Sequence, residues 1–213
     1  AKGYQKRTWE ICRENDILYI SDEVVTGFGR LGHWFASEEV FEIIPDMITC
    51  AKGLTSGYLP LGACIISDRV LEIASQGDEP SAFTNGYTYS AHPVSCAAAL
   101  KNIEIFENER ILENVRNVSP HFQHRLKDLM KYDIVGDARG MGLLGCIECK
   151  AEDLEAERSL GSKIDEACEE LGLLVRPLIN MAVFSPPLII TIEQIDEMCD
   201  IVEAAIIKVE NNL

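Results

Sequence analysis

Asp22 and Lys52 are the pair whose types and setting invite chemistry. Asp22 follows the apolar run Ile17-Leu18-Tyr19-Ile20 as part of Ser21-Asp22-Glu23, and Lys52 stands in Ala51-Lys52-Gly53 after a second short run, Met47-Ile48-Thr49-Cys50. A carboxylate at the C-terminal end of a parallel strand sits where open α/β sheets bind ligands, and it can hold a charged ring nitrogen. Strand alternation would put Val24 on the same side, where it could cover the ring face. A lysine in a desolvated pocket becomes a nucleophilic amine. Taken singly, each residue also reads as an ordinary solvated loop side chain.

Other candidates are weaker alone. Thr88, in Gly86-Tyr87-Thr88-Tyr89, precedes a helix that Pro93 is well placed to start. A hydroxyl there can join backbone N–H groups on a phosphate, or simply sit in a turn. Arg176 stands in a strand-like run and would bind a carboxylate, of a ligand or of the protein itself. Gly27-x-Gly29-x-x-Gly32 matches a dinucleotide fingerprint and leaves a nicotinamide oxidoreductase open. Its acidic pair precedes the glycines, however, and bulky Phe28 and Trp34 crowd the loop, so turn glycines fit better. Cys146-x-x-Cys149 has metal or redox spacing, but on a strand positions three apart face opposite ways. His121-x-x-His124 finds no third ligand at a convincing spacing, so no metal site is expected.

The elements that must position these residues alternate between strand and helix. Helices are expected at 4–15, from Asp68, from Pro93, at 109–131 with a break at Ser119-Pro120, and at 161–171 up to Gly172. Strands are expected at 17–20, 46–50, 62–67, twice within 134–149, and at 173–179. The last helix carries the clearest signals. Thr191 and Gln194 form a capping-box pattern, and Ile195, Met198, Cys199, Val202, Ile206 and Val209 recur at helical spacing. A boundary is expected at the charged stretch Glu107–Arg110, dividing the chain into 1–107 and 108–213. The class is α/β.

Composition narrows the partners. A formal charge of −16 repels phosphate backbones and argues against nucleic acid. No apolar run approaches the roughly 18 residues that span a membrane. Eight cysteines lie scattered, mostly in apolar runs, which suits buried thiols in a reducing, cytoplasmic setting.

Together the segments DEVVTGFGRLGHWF, PDMITCAKGLTSGYLPLGA, GYTYSAHPVSCAAAL, DARGMGLL and VFSPPLIIT resemble the class III aminotransferases, on the ω-transaminase or amine–pyruvate branch. The resemblance implies a pyridoxal 5′-phosphate (PLP) enzyme of the aspartate-aminotransferase-like fold. This chain would hold the C-terminal part of a large domain with a mostly parallel sheet, then an α+β small domain. Asp22 would pair with the pyridinium nitrogen, Val24 would pack on the ring, and Lys52 would form the imine with the cofactor. Thr88 would reach the PLP phosphate of the neighbouring subunit in a homodimer, and Arg176 would bind the substrate carboxylate. The substrates would be an amine or ω-amino acid and pyruvate or a similar keto acid. The resemblance covers the family's C-terminal half only, so the 213 residues alone are expected to hold an incomplete, inactive site. A non-catalytic interaction module is the remaining alternative.

Overall fold

The computed structural model describes residues 2–76 and 85–213. The chain divides into two compact units, one of Ala1–Gly29 with His33–Ile111, the other of Arg30–Gly32 with Leu112–Leu213. The division falls a few residues beyond the charged stretch, and it also draws three residues of the glycine-rich turn into the second unit. No helix among the described residues is long and apolar enough to cross a membrane.

The first unit runs α1 (Tyr4–Glu14), β1 (Ile20–Asp22), α2 (Ala36–Glu39), β2 (Met47–Cys50), a 3-10 turn (Lys52–Leu54), β3 (Ala63–Ile66), α3 (Asp68–Ala74) and α4 (Pro93–Asn108). Its sheet has the order β1-β2-β3, with β1 parallel and β3 antiparallel to β2. Asp46 fixes the N-terminal end of the parallel pair. Its side chain is fully buried and accepts from the Tyr19 N–H at 2.8 Å, Arg13 at 3.0 Å and Arg69 at 3.2 Å. One carboxylate thereby ties α1, the entry to β1, β2 and α3. It also explains why the strand starts later than the apolar run promised. The Tyr19 N–H goes to Asp46, and the ladder begins only at Ile20, leaving Ile17 and Leu18 exposed.

The second unit runs α5 (Ile111–Asp128), β4 (Val135–Met141), β5 (Leu144–Cys149), α6 (Leu154–Glu170), β6 (Arg176–Leu178), β7 (Met181–Phe184) and α7 (Ile192–Glu210). Its sheet, β4-β5-β7-β6, is antiparallel throughout. Phe122, Leu126, Ile147, Ile164, Ile195, Cys199, Val202 and Ile206 form the centre of its core. The capping box is present in full: the Gln194 N–H donates to Thr191 Oγ1, and the Thr191 N–H donates to Gln194 Oε1. Burial pushes the Cys149, Cys168 and Cys199 thiols up to about 11, so they behave as small hydrophobes at neutral pH.

Three expectations are corrected here. Helix α5 passes through Pro120 without a break. The proline costs the helix about 3 kcal/mol, but Val115, Val118, Phe122 and Leu126 are all buried along that helix and outweigh it. Helix α6 begins at Leu154 rather than 161, because the Asp153 side chain caps it by accepting the Ala156 N–H at 2.9 Å. The expected strand 173–179 shrinks to β6, and a further strand, β7, pairs beside it.

Burial raises the Asp46 carboxyl, but the Tyr19 N–H and the Arg13 and Arg69 guanidiniums outweigh that and hold it below the usual carboxylate range. With the folded pKa below the unfolded value, its stabilisation is complete above about pH 4 and is lost as pH falls through the folded pKa. Asp46→Asn should therefore cost about 3 kcal/mol at pH 7. In urea melts repeated at falling pH, that gap should close in strong acid. A gap that stays constant with pH would show that the charge is not what stabilises the fold there.

Candidate functional site

The parallel ladder delivers Asp22 and Lys52 to one end of the sheet. Asp22 lies opposite Thr49, the Glu23 N–H continues the ladder to the Thr49 carbonyl at 2.8 Å, and Lys52 follows the end of β2. Neighbouring strands lie about 4.8 Å apart, so Asp22 closes β1 beside Thr49 and Lys52 comes three residues after Thr49, both at the C-terminal end of the parallel pair. The Asp22 carboxylate accepts the Val24 N–H at 3.0 Å. The strand ends at Asp22 and Val24 lies in the following turn, so this short bond, not strand alternation, keeps Val24 beside the carboxylate. Lys52 is exposed, and its ammonium has no hydrogen-bond or ion-pair partner among the described residues.

The backbone at Lys52 is unusual. Its φ is +38°, in the left-handed region that non-glycine residues rarely occupy. Such a conformation costs on the order of 1–3 kcal/mol and persists only where the surroundings over-determine it. Three features do so. Gly53 lies so close to the Gly27–Gly29 turn that a Cβ there would meet Phe28 Cβ at 2.7 Å. Leu54 is buried with Phe28, Cys50 and Ala99, flanked by Trp34, Phe35 and Ile103. Asn102, on α4, donates to the Gly53 and Leu54 carbonyls at 2.9 and 3.1 Å.

Glu23, the other half of the acidic pair, is buried and holds the loop between Asp22 and α2. Its carboxylate accepts the Ala36 and Ser37 N–H groups at 2.6 and 2.7 Å and the Thr26 hydroxyl at 3.0 Å. Neither Glu23 nor Asn102 was singled out from the sequence. The signal for Asn102 was a polar residue amid the apolar helical run Ala97–Ile103.

The glycines serve packing. The Gly27, Phe28 and Gly29 N–H groups are spent on the Glu23, Trp34 and His33 carbonyls, so they are not available to a pyrophosphate. Gly27 is required because a Cβ would meet the Glu23 carbonyl oxygen at 2.8 Å. Gly32 belongs to the second unit, where it abuts Arg116. The dinucleotide fingerprint is thus split between two units and lacks its free donors.

Thr88 lies exposed in a turn ahead of α4, between exposed Tyr87 and Tyr89. Arg176 lies in the second unit on β6, opposite Val183. The ladder continues that row through Cys146 to Arg139. Arg139 is committed to Asp137 and Glu148, whereas Arg176 has no partner among the described residues. Arg176 borders a cavity of about 780 Å³ with Val175, Phe184, Thr191 and Gln194. Cys149 is buried while Cys146 lies on the half-exposed face, and both are free thiols. His121 pairs with Asp196 at 2.7 Å, and His124 approaches Asp128 at 3.6 Å.

Gly53→Ala should destabilise the first unit by about 1–3 kcal/mol, because Phe28 and the turn that carries it must move. Gly57→Ala is the control. It has open space around it and a φ of +78°, so it should cost only about 1 kcal/mol. Equal losses in urea denaturation would show that the Gly53–Phe28 contact is not tight.

Residues 1–206 match the family described as Aminotransferase class-III. The chain is 40% identical to putrescine–pyruvate aminotransferase of Pseudomonas aeruginosa over 92% of its own length and 43% of that protein. It is 40% identical to the chloroplastic gamma aminobutyrate transaminase 3 of Solanum lycopersicum, again over 92% of this chain and 38% of that one. Among solved structures, an omega-aminotransferase from Paracoccus denitrificans superposes with a TM-score of 0.91 at 37% identity, covering 100% of this chain and 49% of that one. An amine transaminase from an uncultivated Pseudomonas species, in its PLP-bound form, does so at 0.90 and 36%, covering 96% and 48%. The chain spans less than half the length of these relatives. With a family match across residues 1–206 and a relative 40% identical over 92% of this sequence, the chain belongs to the class III aminotransferases.

Proposed function

We propose that this chain supplies the lysine-bearing half of a PLP-dependent transaminase site. The observation that supports this is the parallel β1–β2 ladder, which ends at Asp22 opposite Thr49, with Lys52 in the turn that follows β2. The donor set fits the cofactor: a carboxylate bound to one backbone N–H, and an amine without a partner among the described residues. The PLP-bound structural relative supports the same choice.

When bound, PLP supplies an electron sink for the carbanion formed at the substrate α-carbon. Asp22 holds a proton on the ring nitrogen, because an adjacent carboxylate favours the charged form. Val24 covers the ring face. With PLP bound, Lys52 would hold the cofactor covalently and, as a free amine, would take or return the proton at the carbon that bears the substrate's amino group. The amino group is taken from a donor in one half-reaction and passed to a keto acid in the next. Relatives named for putrescine and pyruvate, and for gamma-aminobutyrate, support an amine or ω-amino acid as donor and pyruvate or a similar keto acid as acceptor. Arg176, unpaired among the described residues, takes the substrate carboxylate. Thr88 reaches the PLP phosphate of a partner subunit in a homodimer, a role supported by its exposure between two exposed tyrosines. The scattered, unpaired cysteines support a cytoplasmic setting.

The 213 residues by themselves bind PLP weakly and do not turn over. Coverage of less than half of each relative supports this, as does a sheet whose edge strands leave Ile20, Ile65 and Ile66 exposed. Incubation of the chain with excess PLP, followed by borohydride reduction and peptide mapping, should place the adduct at Lys52. The adduct should vanish in Lys52→Ala. An adduct that survives this substitution, or spreads evenly over the lysines, would refute the assignment. Measurable amine–pyruvate exchange by the chain alone would refute the half-site reading.

A further inference from the structure

We infer that Asn102 is the positioning residue for Lys52, holding the lysine's backbone in its left-handed conformation from helix α4. The inference rests on the role proposed for Lys52 and names the residue that sets where its amine starts from.

All the hydrogen-bonding groups of the Asn102 amide are directed at the turn that follows Lys52. Nδ2 donates to the Gly53 carbonyl at 2.9 Å and the Leu54 carbonyl at 3.1 Å, and Oδ1 accepts the Ser56 hydroxyl at 2.7 Å. The chemistry forces this orientation. Turned over, the amide would set its oxygen against two carbonyl oxygens and lose both bonds. The turn's own bonds complete the fastening: the Leu54 N–H reaches the Ala51 carbonyl at 2.9 Å, and the Thr55 and Gly57 N–H groups reach the Lys52 carbonyl at 3.2 and 3.3 Å. Ala99 and Phe106, close to one helical turn on either side of Asn102, are buried, so the helix that carries the amide is itself held in place.

The sequence between Lys52 and Gly57 supplies no such restraint by itself. A φ of +38° at a lysine is unfavourable, and the 3-10 turn is a single short one. Without Asn102 two carbonyls lose their donor, and the turn relaxes toward ordinary φ values, carrying the lysine's Cα away from the end of β1. The same helix begins just after Thr88. Asn102 therefore also fixes Lys52 against the helix whose approach presents the proposed phosphate ligand.

The test uses the full chain with two variants and two readouts. Asn102→Ala removes the donor. Asn102→Asp keeps the size and replaces the donor by an anion facing two carbonyls. Amide hydrogen exchange at Leu54, Thr55 and Gly57 should quicken about tenfold in Asn102→Ala and more in Asn102→Asp, the factor expected for one hydrogen bond of ordinary strength. In parallel, labelling of Lys52 by PLP and borohydride, scored against the exposed Lys163 in the same sample, should fall about tenfold, with Asn102→Asp again the lower. Exchange in α7 checks that the second unit is unchanged. Wild-type exchange and labelling in both variants would overturn the inference, as would an Asn102→Asp variant that behaves like wild type while Asn102→Ala does not, since that result indicates space-filling alone. If wild-type Lys52 labels no faster than Lys163, the PLP assignment fails. The exchange rates would still decide whether Asn102 holds the turn.

Discussion

The buried carboxylate of Glu23 is the contact on which the site depends. Taking a carboxylate out of water is costly unless its lone pairs are filled, and here two backbone N–H groups and a hydroxyl fill them. Those N–H groups open α2, so a residue one position beyond β1 determines where the chain must return thirteen residues later. The intervening loop has little freedom left. Its Phe28 and Gly29 N–H groups close on Trp34 and His33, and Phe28 is set down on Gly53. A carboxylate next to Asp22 thus determines what packs next to Lys52. The neighbouring acids differ in kind: Asp22 stays accessible with one bond to Val24, while Glu23 is consumed in holding the frame.

The strain at Lys52 belongs to the same design. A left-handed lysine is tolerable because its neighbours on either side are fixed independently, Cys50 and Leu54 by burial and Gly53 by Phe28 and Asn102. The strain cost, on the order of 1–3 kcal/mol, is comparable to one buried aliphatic side chain. A turn of ordinary dihedrals would need none of these restraints. Their concentration around one residue indicates that direction is being specified rather than stability.

Much of this was legible from residue order. The start and the buried stripe of helix α7 were legible, because capping chemistry is local and apolar residues at helical spacing mark one face. Asp22 and Lys52 were legible as strand-end residues, since short apolar runs followed by polar or glycine-rich residues mark such ends. Apart from the start of α6, which a local Asp153 cap sets, the failures share a cause, namely partners distant in the chain. Strand β1 starts late because Asp46 captures the Tyr19 N–H. Pro120 stays helical because of burial on one face of α5. Glu23 and Asn102 carry no local sequence signal of their roles, and only the loop and helix that return to them reveal those roles. The glycines were rightly assigned to turns, but which atom excludes a Cβ at each one depends on residues as far away as Arg116.

The openness of the first sheet decides what this assembly can do unaided. Parallel strands are ordinarily covered on both faces, and edge strands that display apolar side chains and unpaired amides invite further pairing. Here both edge strands are open. Every residue of β3 is exposed, as are Ile20 and Asp22 of β1. The desolvation that turns a lysine into a nucleophile has to come from walls that exclude water, and the side chains around Lys52 secure its backbone without enclosing its amine. Geometry and reactivity are therefore separable in this chain. The strand ends, the Glu23 clamp and the Asn102 clamp fix the backbone from which the Lys52 amine and the Asp22 carboxylate extend, and none of them encloses the amine.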